Sequence, residues 1–167
     1  MTYYTLFIIE LQSRRVHVAG STRYPDEAFV MQAIRGSANP IDGVLADGGV
    51  LICDRDRKWS RAVLEFLEQE GVRIIRTPFL APNCNAYAER FVRSIKQECL
   101  DRMIFVEQGG LRRAVTEFVA HYHHERDHQG LDNRLIQSER GSLAVGASVC
   151  RRQRLGGMLS FYYPAAA

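Results

Sequence analysis

Long hydrophobic runs and paired cysteines are both missing from this chain of 167 residues. No apolar stretch approaches the ~20 residues of a membrane-spanning helix, so the sequence predicts no membrane segment. The apolar stretch from Tyr3 to Ile9 has no basic segment before it and no small-residue cleavage site after it, which argues against a signal peptide. The four cysteines form no C-x-x-C pair, so we expect reduced thiols rather than a zinc site or a disulfide scaffold.

The chain also lacks a strong net charge, because its 22 Lys and Arg residues exceed its 19 Asp and Glu residues by only three, which gives +3. This small excess does not identify a partner, so local clusters carry more information. With 46% hydrophobic and 25% charged residues, the composition excludes a disordered chain and a collagen. The length is typical of one domain of ~100–200 residues with a core of its own.

The order of the predicted elements favours an α/β or α+β sheet with helices packed on it. Alternating apolar residues, capping residues and glycines predict a hairpin, then a helix, a strand, a helix, a strand and two helices. Their approximate ranges are 3–11 and 15–19, 25–36, 50–53, 60–71, 72–75, 86–100 and 111–124. After His128 the sequence is rich in turn residues and basic residues.

The first candidate site begins at Asp54, directly after the apolar strand Val50–Cys53. In open α/β sheets, ligands bind at the carboxyl ends of the strands. The alternative interpretation is an aspartate that ends a strand in a solvated turn. Four basic residues near it, Arg55, Arg57, Lys58 and Arg61, favour a phosphate-facing rim next to a metal-binding carboxylate.

The second candidate site lies on the predicted helix 86–100, where Glu89 follows Asp54 by 35 residues. Arg93 and Lys96 share a helix face with Glu89, at i+4 and i+7. This face is either a solvated row of charges or a metal-binding carboxylate followed by two phosphate-binding cations. A separate stripe at a spacing of four is expected to be buried, and it comprises Tyr87, Phe91, Ile95 and Cys99.

Two carboxylates presented by a strand end and a helix start suit a hard divalent cation. Mg²⁺ uses one or two protein carboxylates and completes its coordination with water and substrate phosphate. Two such ions stabilise the attacking and the leaving oxygen of an in-line phosphoryl displacement. Asp54 and Glu89 are therefore candidate ligands of this kind.

Four segments together resemble the integrase catalytic core of bacterial transposases and retroviral integrases, a family with a ribonuclease H-like fold. They are Asp54-Arg55-Asp56-Arg57-Lys58-Trp59, the stretch from Ala81-Pro82-Asn83 to Glu89-Arg90-Phe91, Lys96-Gln97-Glu98-Cys99-Leu100-Asp101, and Tyr122-His123-His124-Glu125-Arg126-Asp127-His128-Gln129-Gly130-Leu131. The last segment is similar to the family's Tyr-Asn-x-x-Arg-Pro-His-x-x-Leu, with His123 and Asp127 in place of Asn and Pro. The resemblance covers about residues 2–134.

The resemblance implies an Asp-Asp-Glu triad whose second and third members fall on Asp54 and Glu89. It also implies two Mg²⁺ or Mn²⁺ ions, cleavage and strand transfer at transposon ends, and DNA contacts from Arg55, Arg57, Lys58, Arg93 and Lys96. The partners implied are transposon-end and target DNA and further copies of the chain, in the cytoplasm of a bacterium. Asp56 is not a triad position, and we expect it to order its loop.

The family's first Asp lies on a strand upstream of the hairpin, and no residue of this sequence matches it. We therefore expect a ribonuclease H-like mixed sheet that lacks its first, central strand, with a partial core over 1–135 and a basic tail over 136–167. On this interpretation the chain alone is inactive in strand transfer. One alternative is a non-catalytic DNA-binding remnant of a mobile element. A ribonuclease-type nuclease is disfavoured by the segment from Tyr122 to Leu131.

Two further groups of polar residues have competing interpretations. The histidines at positions 121, 123, 124 and 128 have no acidic or cysteine partner at a recognisable metal-ligand spacing, so we predict polar surface residues. Arg151, Arg152 and Arg154 either bind phosphates or belong to an ordinary basic terminus.

Overall fold

The computed structural model of the protein describes residues 2–46, 48–78, 82–137 and 148–165, with only the backbone at residues 82 and 83. The chain divides into two compact units, one of residues 1–9 and 17–89 and the other of residues 10–16 and 90–167. Residues 79–81, which include the first residue of the segment from Ala81 to Phe91, and residues 138–147 and 166–167 of the predicted tail lie outside the described residues. Across the described ranges, no helix is both long enough and apolar enough to cross a membrane.

The first unit contains the predicted elements in the predicted order. Strands β1 and β2 form the hairpin, and strands β3 and β4 flank the second helix in sequence. The bounds are β1 (Tyr4–Ile9), β2 (Val16–Thr22), α1 (Glu27–Ser37), β3 (Val50–Cys53), α2 (Arg61–Gln69), β4 (Arg73–Arg76) and α3 (Ala86–Glu98), whose first turn belongs to this unit.

Capping residues explain where the helices begin and end. The Asp26 side chain accepts a hydrogen bond of 2.8 Å from the Phe29 backbone N–H at the start of α1. Ser60 accepts one of 3.4 Å from the Val63 N–H at the start of α2. Gly71 follows α2 with φ at +78°, a left-handed conformation that a glycine adopts without steric cost. These caps confirm the predicted boundaries of α1 and α2.

The strands of the first unit form two separate two-stranded sheets within the described residues. Strands β3 and β4 are parallel, with Val50 opposite Arg73 and Cys53 opposite Arg76. Strands β1 and β2 form the other sheet, and the Thr5 and Ser21 hydroxyls are joined by a hydrogen bond of 2.9 Å. The mixed α/β character is confirmed, whereas one continuous ribonuclease H-like sheet stays a prediction.

The core of the first unit forms where both helices and the parallel strands bury their apolar side chains. Ile34 of α1 and Val63 and Leu67 of α2 are completely buried in it. Trp59 and Phe66 are partly buried against this cluster, so Trp59 anchors its loop on the core. The loop that follows β3 therefore rests on a packed core.

The second unit combines the rest of α3 with α4 (Gln108–His124) and a C-terminal hairpin of β5 (Val149–Arg154) and β6 (Leu159–Pro164). Its core contains the rings of Phe91, Phe118 and Tyr122, with centroids 5.1–6.2 Å apart. The sequence indicated only a basic, turn-rich stretch here, so the hairpin is a feature that sequence analysis missed.

Candidate functional site

Asp54 lies at the carboxyl end of β3, the position expected from the sequence. Its side chain is exposed, and one carboxylate oxygen accepts a hydrogen bond of 3.1 Å from the Asp56 N–H. The parallel neighbour β4 ends at the same edge, because the Thr77 N–H bonds to the Cys53 carbonyl at 2.9 Å. The exposed Asp54 side chain thus lies in a turn that is held by β4 pairing on one side and by its own hydrogen bond from the Asp56 N–H on the other.

The basic residues beside Asp54 have different partners. The Arg55 Nε–H donates to the Thr77 carbonyl at 2.9 Å, which joins the loop to the residue after β4. Lys58 Nζ forms an ion pair of 2.6 Å with Asp56, and this hydrogen bond lowers the pKa of Asp56 and raises the pKa of Lys58. Arg57 is exposed and makes no ion pair with any described residue. The contacts of Asp56 agree with its expected role in ordering the loop.

A pocket of about 180 Å³ lies beside this loop, within the first unit. Asp54, Asp56, Lys58 and Trp59 form one side of the pocket. The other sides come from β1 and from the start of α1, and they comprise Tyr4, Thr5, Leu6, Pro25, Phe29 and Val30. The exposed carboxylate therefore borders a recess rather than a flat surface.

Glu89 lies in the first turn of α3 and is exposed. Arg93 and Lys96 are exposed further along the same helix, one and two turns after Glu89. Glu89 belongs to the same compact unit as Asp54, whereas Arg93 and Lys96 belong to the second unit. The shared metal site of Asp54 and Glu89 stays a prediction, as do the DNA contacts of the five basic residues.

The predicted buried stripe of α3 is confirmed at three of its four positions. Phe91, Ile95 and Cys99 are buried, and burial raises the pKa of the Cys99 thiol to about 11. Tyr87 is exposed instead, which corrects the sequence-based assignment. The buried stripe therefore begins at Phe91, one turn later than the spacing of four indicates.

Metal-binding side chains do not form a group of three in the described part of the chain. Within residues 2–46, 48–78, 82–137 and 148–165, no three His, Cys, Asp or Glu side chains lie together in an arrangement that could hold a metal ion. The predicted donor set has two carboxylates, a number that fits Mg²⁺ when water and phosphate complete the coordination.

The segment from Tyr122 to Leu131 serves mainly to hold the second unit together. The His123 Nε2 atom accepts a hydrogen bond of 2.9 Å from the Val16 N–H, and His128 Nε2 lies 2.8 Å from the Tyr122 carbonyl. Arg126 binds both oxygens of Glu98 at 2.5 Å. His121 and His123 are buried, so the prediction of polar surface histidines is wrong for these two.

A buried ion-pair network joins α4 to the C-terminal hairpin, and sequence analysis missed it. The side chain of Glu125 is only 1% exposed, and Arg154 binds it at 2.7 Å. His121 lies 3.0 Å and Arg152 3.4 Å from the same carboxylate, while Arg154 also binds Glu117 at 2.8 Å. Burial alone raises the pKa of Glu125, but the hydrogen bonds from Arg154, His121 and Arg152 outweigh it and lower the pKa to about 2.

One sequence signal could have revealed the hairpin that carries these arginines. Gly156 and Gly157 separate a run of arginines from the aromatic stretch Leu159–Tyr163, and a glycine pair between two such runs predicts a hairpin. The partners of Glu125 had no comparable signal, because 27 and 29 residues separate it from Arg152 and Arg154.

Comparison with known protein families agrees with the resemblance seen in the motifs. The family described as the integrase core domain matches residues 70–135. This range includes Glu89, Arg93 and Lys96 and the whole segment from Tyr122 to Leu131. Asp54, Arg55, Arg57 and Lys58 lie before it. Residues 70–135 of this chain are thus similar to the integrase core domain, which supports a relationship to the integrase and transposase catalytic core family.

Proposed function

We propose that this protein is the catalytic core of a transposase or integrase, which cleaves phosphodiester bonds and transfers strands at transposon ends in a metal-dependent reaction. The match of residues 70–135 to the integrase core domain carries the proposal. The substrates are transposon-end and target DNA, and the active form is a homo-oligomer in the bacterial cytoplasm.

Asp54 and Glu89 are the proposed ligands of Mg²⁺ or Mn²⁺. Both side chains are exposed in the first unit, and Asp54 borders the pocket beside its loop. Lys58 does not compete for Asp54, because its ammonium group pairs with Asp56. When bound, the ions would activate the attacking oxygen and stabilise the leaving oxygen of a phosphodiester. Asp54 and Glu89 would position that phosphate through the ions, and Arg57 would bind the neighbouring phosphates.

The 167-residue chain by itself is proposed to be inactive in strand transfer. Two carboxylates supply less negative charge than the triad of the family, and two divalent ions beside a phosphate need bridging anionic ligands. The second candidate function is a DNA-binding module of a mobile element without catalytic activity, which the exposed cations Arg93 and Lys96 of α3 would also serve.

Metal binding separates the two candidate functions. With the full chain, we expect calorimetric titration with Mn²⁺ to show binding that weakens at least about tenfold in Asp54→Asn and in Glu89→Gln, because each variant loses an anionic ligand. Substitution of residues that only hydrogen-bond to a metal ligand already lowers metal affinity by about 10- to 100-fold. Loss of a direct ligand should therefore lower the affinity at least about tenfold.

Asp132→Asn is the matched control for this titration. Asp132 is an exposed carboxylate of the second unit, and its left-handed backbone with φ at +54° suits Asn. We expect this variant to bind Mn²⁺ like the parent chain. Equal affinities in all four proteins would contradict the ligand assignment and favour the non-catalytic candidate.

DNA binding is expected to be weak, tolerant of sequence and dependent on salt. Each phosphate contact adds about 0.9 to the slope of log K against log salt concentration. Changing Arg93 and Lys96 together to Ala should therefore reduce the slope by about 2, measured by fluorescence anisotropy with a labelled duplex.

Arg112 and Arg113 provide a control with the same change of charge. Both are exposed on α4 in the same unit, and changing both to Ala should leave the slope unaltered. An affinity that does not change between low and physiological salt would refute phosphate binding. An equal loss of slope in both double variants would show that net charge, and not the face of α3, determines binding.

A further inference from the structure

One face of the C-terminal hairpin contributes to the packing and ion pairs of the second unit. Strand register places Arg152 opposite Phe161 and Arg154 opposite Leu159, and alternation puts these residues on one side. Leu159 is buried, and both arginines reach the buried Glu125. Arg152 and Arg154 thus serve in ion pairs, which separates them from the third arginine of the tail.

The opposite face presents Arg151 and Tyr162 to solvent. These two residues face each other across the strands, and the Arg151 guanidinium carbon lies 5.7 Å from the centroid of the Tyr162 ring. A hydrogen bond of 2.9 Å from Arg151 Nη2 to the Ser160 hydroxyl holds the guanidinium there. Tyr162 is 61% exposed. A cation and an aromatic ring are therefore fixed side by side on an open surface.

No acidic side chain among the described residues forms an ion pair on this face of the hairpin. Residues 149–165 include three arginines and no Asp or Glu. The acidic partners of the hairpin, Glu117 and Glu125, bind the arginines of the other face. In the part of the chain that the structure describes, Arg151 makes no ion pair, so its natural complement is an anion from another molecule.

We propose that the outward face of the hairpin, formed by Arg151 and Tyr162, binds single-stranded DNA. The Tyr162 ring stacks on an unpaired base, and Arg151 binds a neighbouring phosphate. Combining a cation with an exposed aromatic ring is how proteins bind single strands without sequence preference, since every base has a face that can stack. In a duplex those faces are covered by neighbouring bases. The choice of DNA over RNA rests on the proposed function, whereas the stacking surface does not.

The test uses the full chain and three labelled 12-mers in anisotropy titrations: oligo-dT, an abasic strand and oligo-U. Tyr162→Ala should weaken oligo-dT binding by about 5- to 150-fold, the range found for one stacked base. The same variant should bind the abasic strand like the parent, and Tyr162→Phe should bind oligo-dT like the parent. Arg151→Gln should reduce the salt slope on oligo-dT by about 0.7.

Matched controls come from the first unit. Tyr24 is an exposed tyrosine, and Arg35 is an exposed arginine whose guanidinium carbon lies 5.6 Å from the centroid of the Phe66 ring. We expect Tyr24→Ala and Arg35→Gln to bind oligo-dT like the parent chain. Equal affinities of Tyr162→Ala and Tyr24→Ala for oligo-dT would overturn the proposal. A preference for oligo-U over oligo-dT would overturn the assignment to DNA.

The oligo-dT experiment on the hairpin can succeed or fail independently of the proposed metal site. Loss of Mn²⁺ binding to Asp54 and Glu89 concerns the first unit, whereas the hairpin belongs to the second. If the Mn²⁺ titration fails and Tyr162→Ala still weakens oligo-dT binding selectively, the hairpin site stands and the metal site does not. If Mn²⁺ binds as expected and the two tyrosine variants do not differ, the hairpin site alone is refuted.

Discussion

Glu125→Gln is expected to lower the free energy of unfolding by about 3 kcal/mol. Removing one partner of a buried ion pair leaves the other charge without compensation, which typically costs about 3–5 kcal/mol. The lower end applies because Arg154 keeps its second partner, Glu117, at 2.8 Å. Urea denaturation followed by circular dichroism measures the change.

Glu65→Gln is the matched control for this experiment. Glu65 also pairs with an arginine, at 2.6 Å, but that pair is exposed on α2. Exposed pairs of this kind contribute about 0.3–0.5 kcal/mol, so the control variant should remain close to the parent. Equal effects of the two substitutions would show that the network around Glu125 does not stabilise the second unit.

The same network predicts how stability depends on acid. The pKa of Glu125 in the folded protein is about 2, below its ordinary value of 4.5. A lowered pKa means that this stabilisation is present above pH 4.5 and is lost as the pH falls from 4.5 towards 2. Between these limits the parent chain should lose on the order of 3 kcal/mol through this group, and Glu125→Gln should not. Parallel acid-stability curves of the two proteins would contradict the assignment.

Strand transfer is expected only from a longer version of the chain. We expect no product when the 167-residue chain is incubated with Mg²⁺ or Mn²⁺ and a transposon-end duplex. A version that also carries the family's first strand, with its Asp, should form product. In that version Asp54→Asn and Glu89→Gln should each reduce the rate by at least about 10²–10³-fold, as when one group that stabilises a transition state is removed.

Asp101→Asn in the longer version is the control, because Asp101 is an exposed carboxylate of the second unit. Its rate should match that of the unsubstituted longer version. Product from the 167-residue chain that Glu89→Gln abolishes would show that a third carboxylate is dispensable and that the triad has been assigned wrongly. Full activity of Glu89→Gln in the longer version would exclude Glu89 as a ligand.

Local interactions of the sequence were sufficient to predict the helices and strands of the first unit. Asp26 and Ser60 cap the two helices through hydrogen bonds to backbone groups three residues away. Gly71 ends α2 because its own backbone adopts a positive φ. The position of Asp54 after a short apolar strand follows from the same local pattern, and four short segments together indicated the family. Each of these features depends on residues that are close neighbours in the chain.

Features that depend on distant residues could not be predicted in this way. His123 is buried because the Val16 N–H, 107 residues away, donates to its ring. A histidine on a helix face has the same local pattern whether such a donor is present or not. The separation of the Asp54 and Glu89 carboxylates is likewise a property of tertiary packing, since 35 residues of intervening chain can place them near each other or far apart.

Residues 149–165 show most clearly which properties the sequence determines and which depend on tertiary contacts. Composition alone established that residues 149–165 are basic and contain aromatic side chains. Pairing of β5 with β6 then put Arg154 on the face towards Glu125 and Arg151 on the face towards solvent. Because side chains alternate between the faces of a strand, a shift of register by one residue would exchange these roles. Charge was thus set by the sequence, whereas strand pairing and contact with α4 decided which arginine stabilises the fold and which remains available to a ligand.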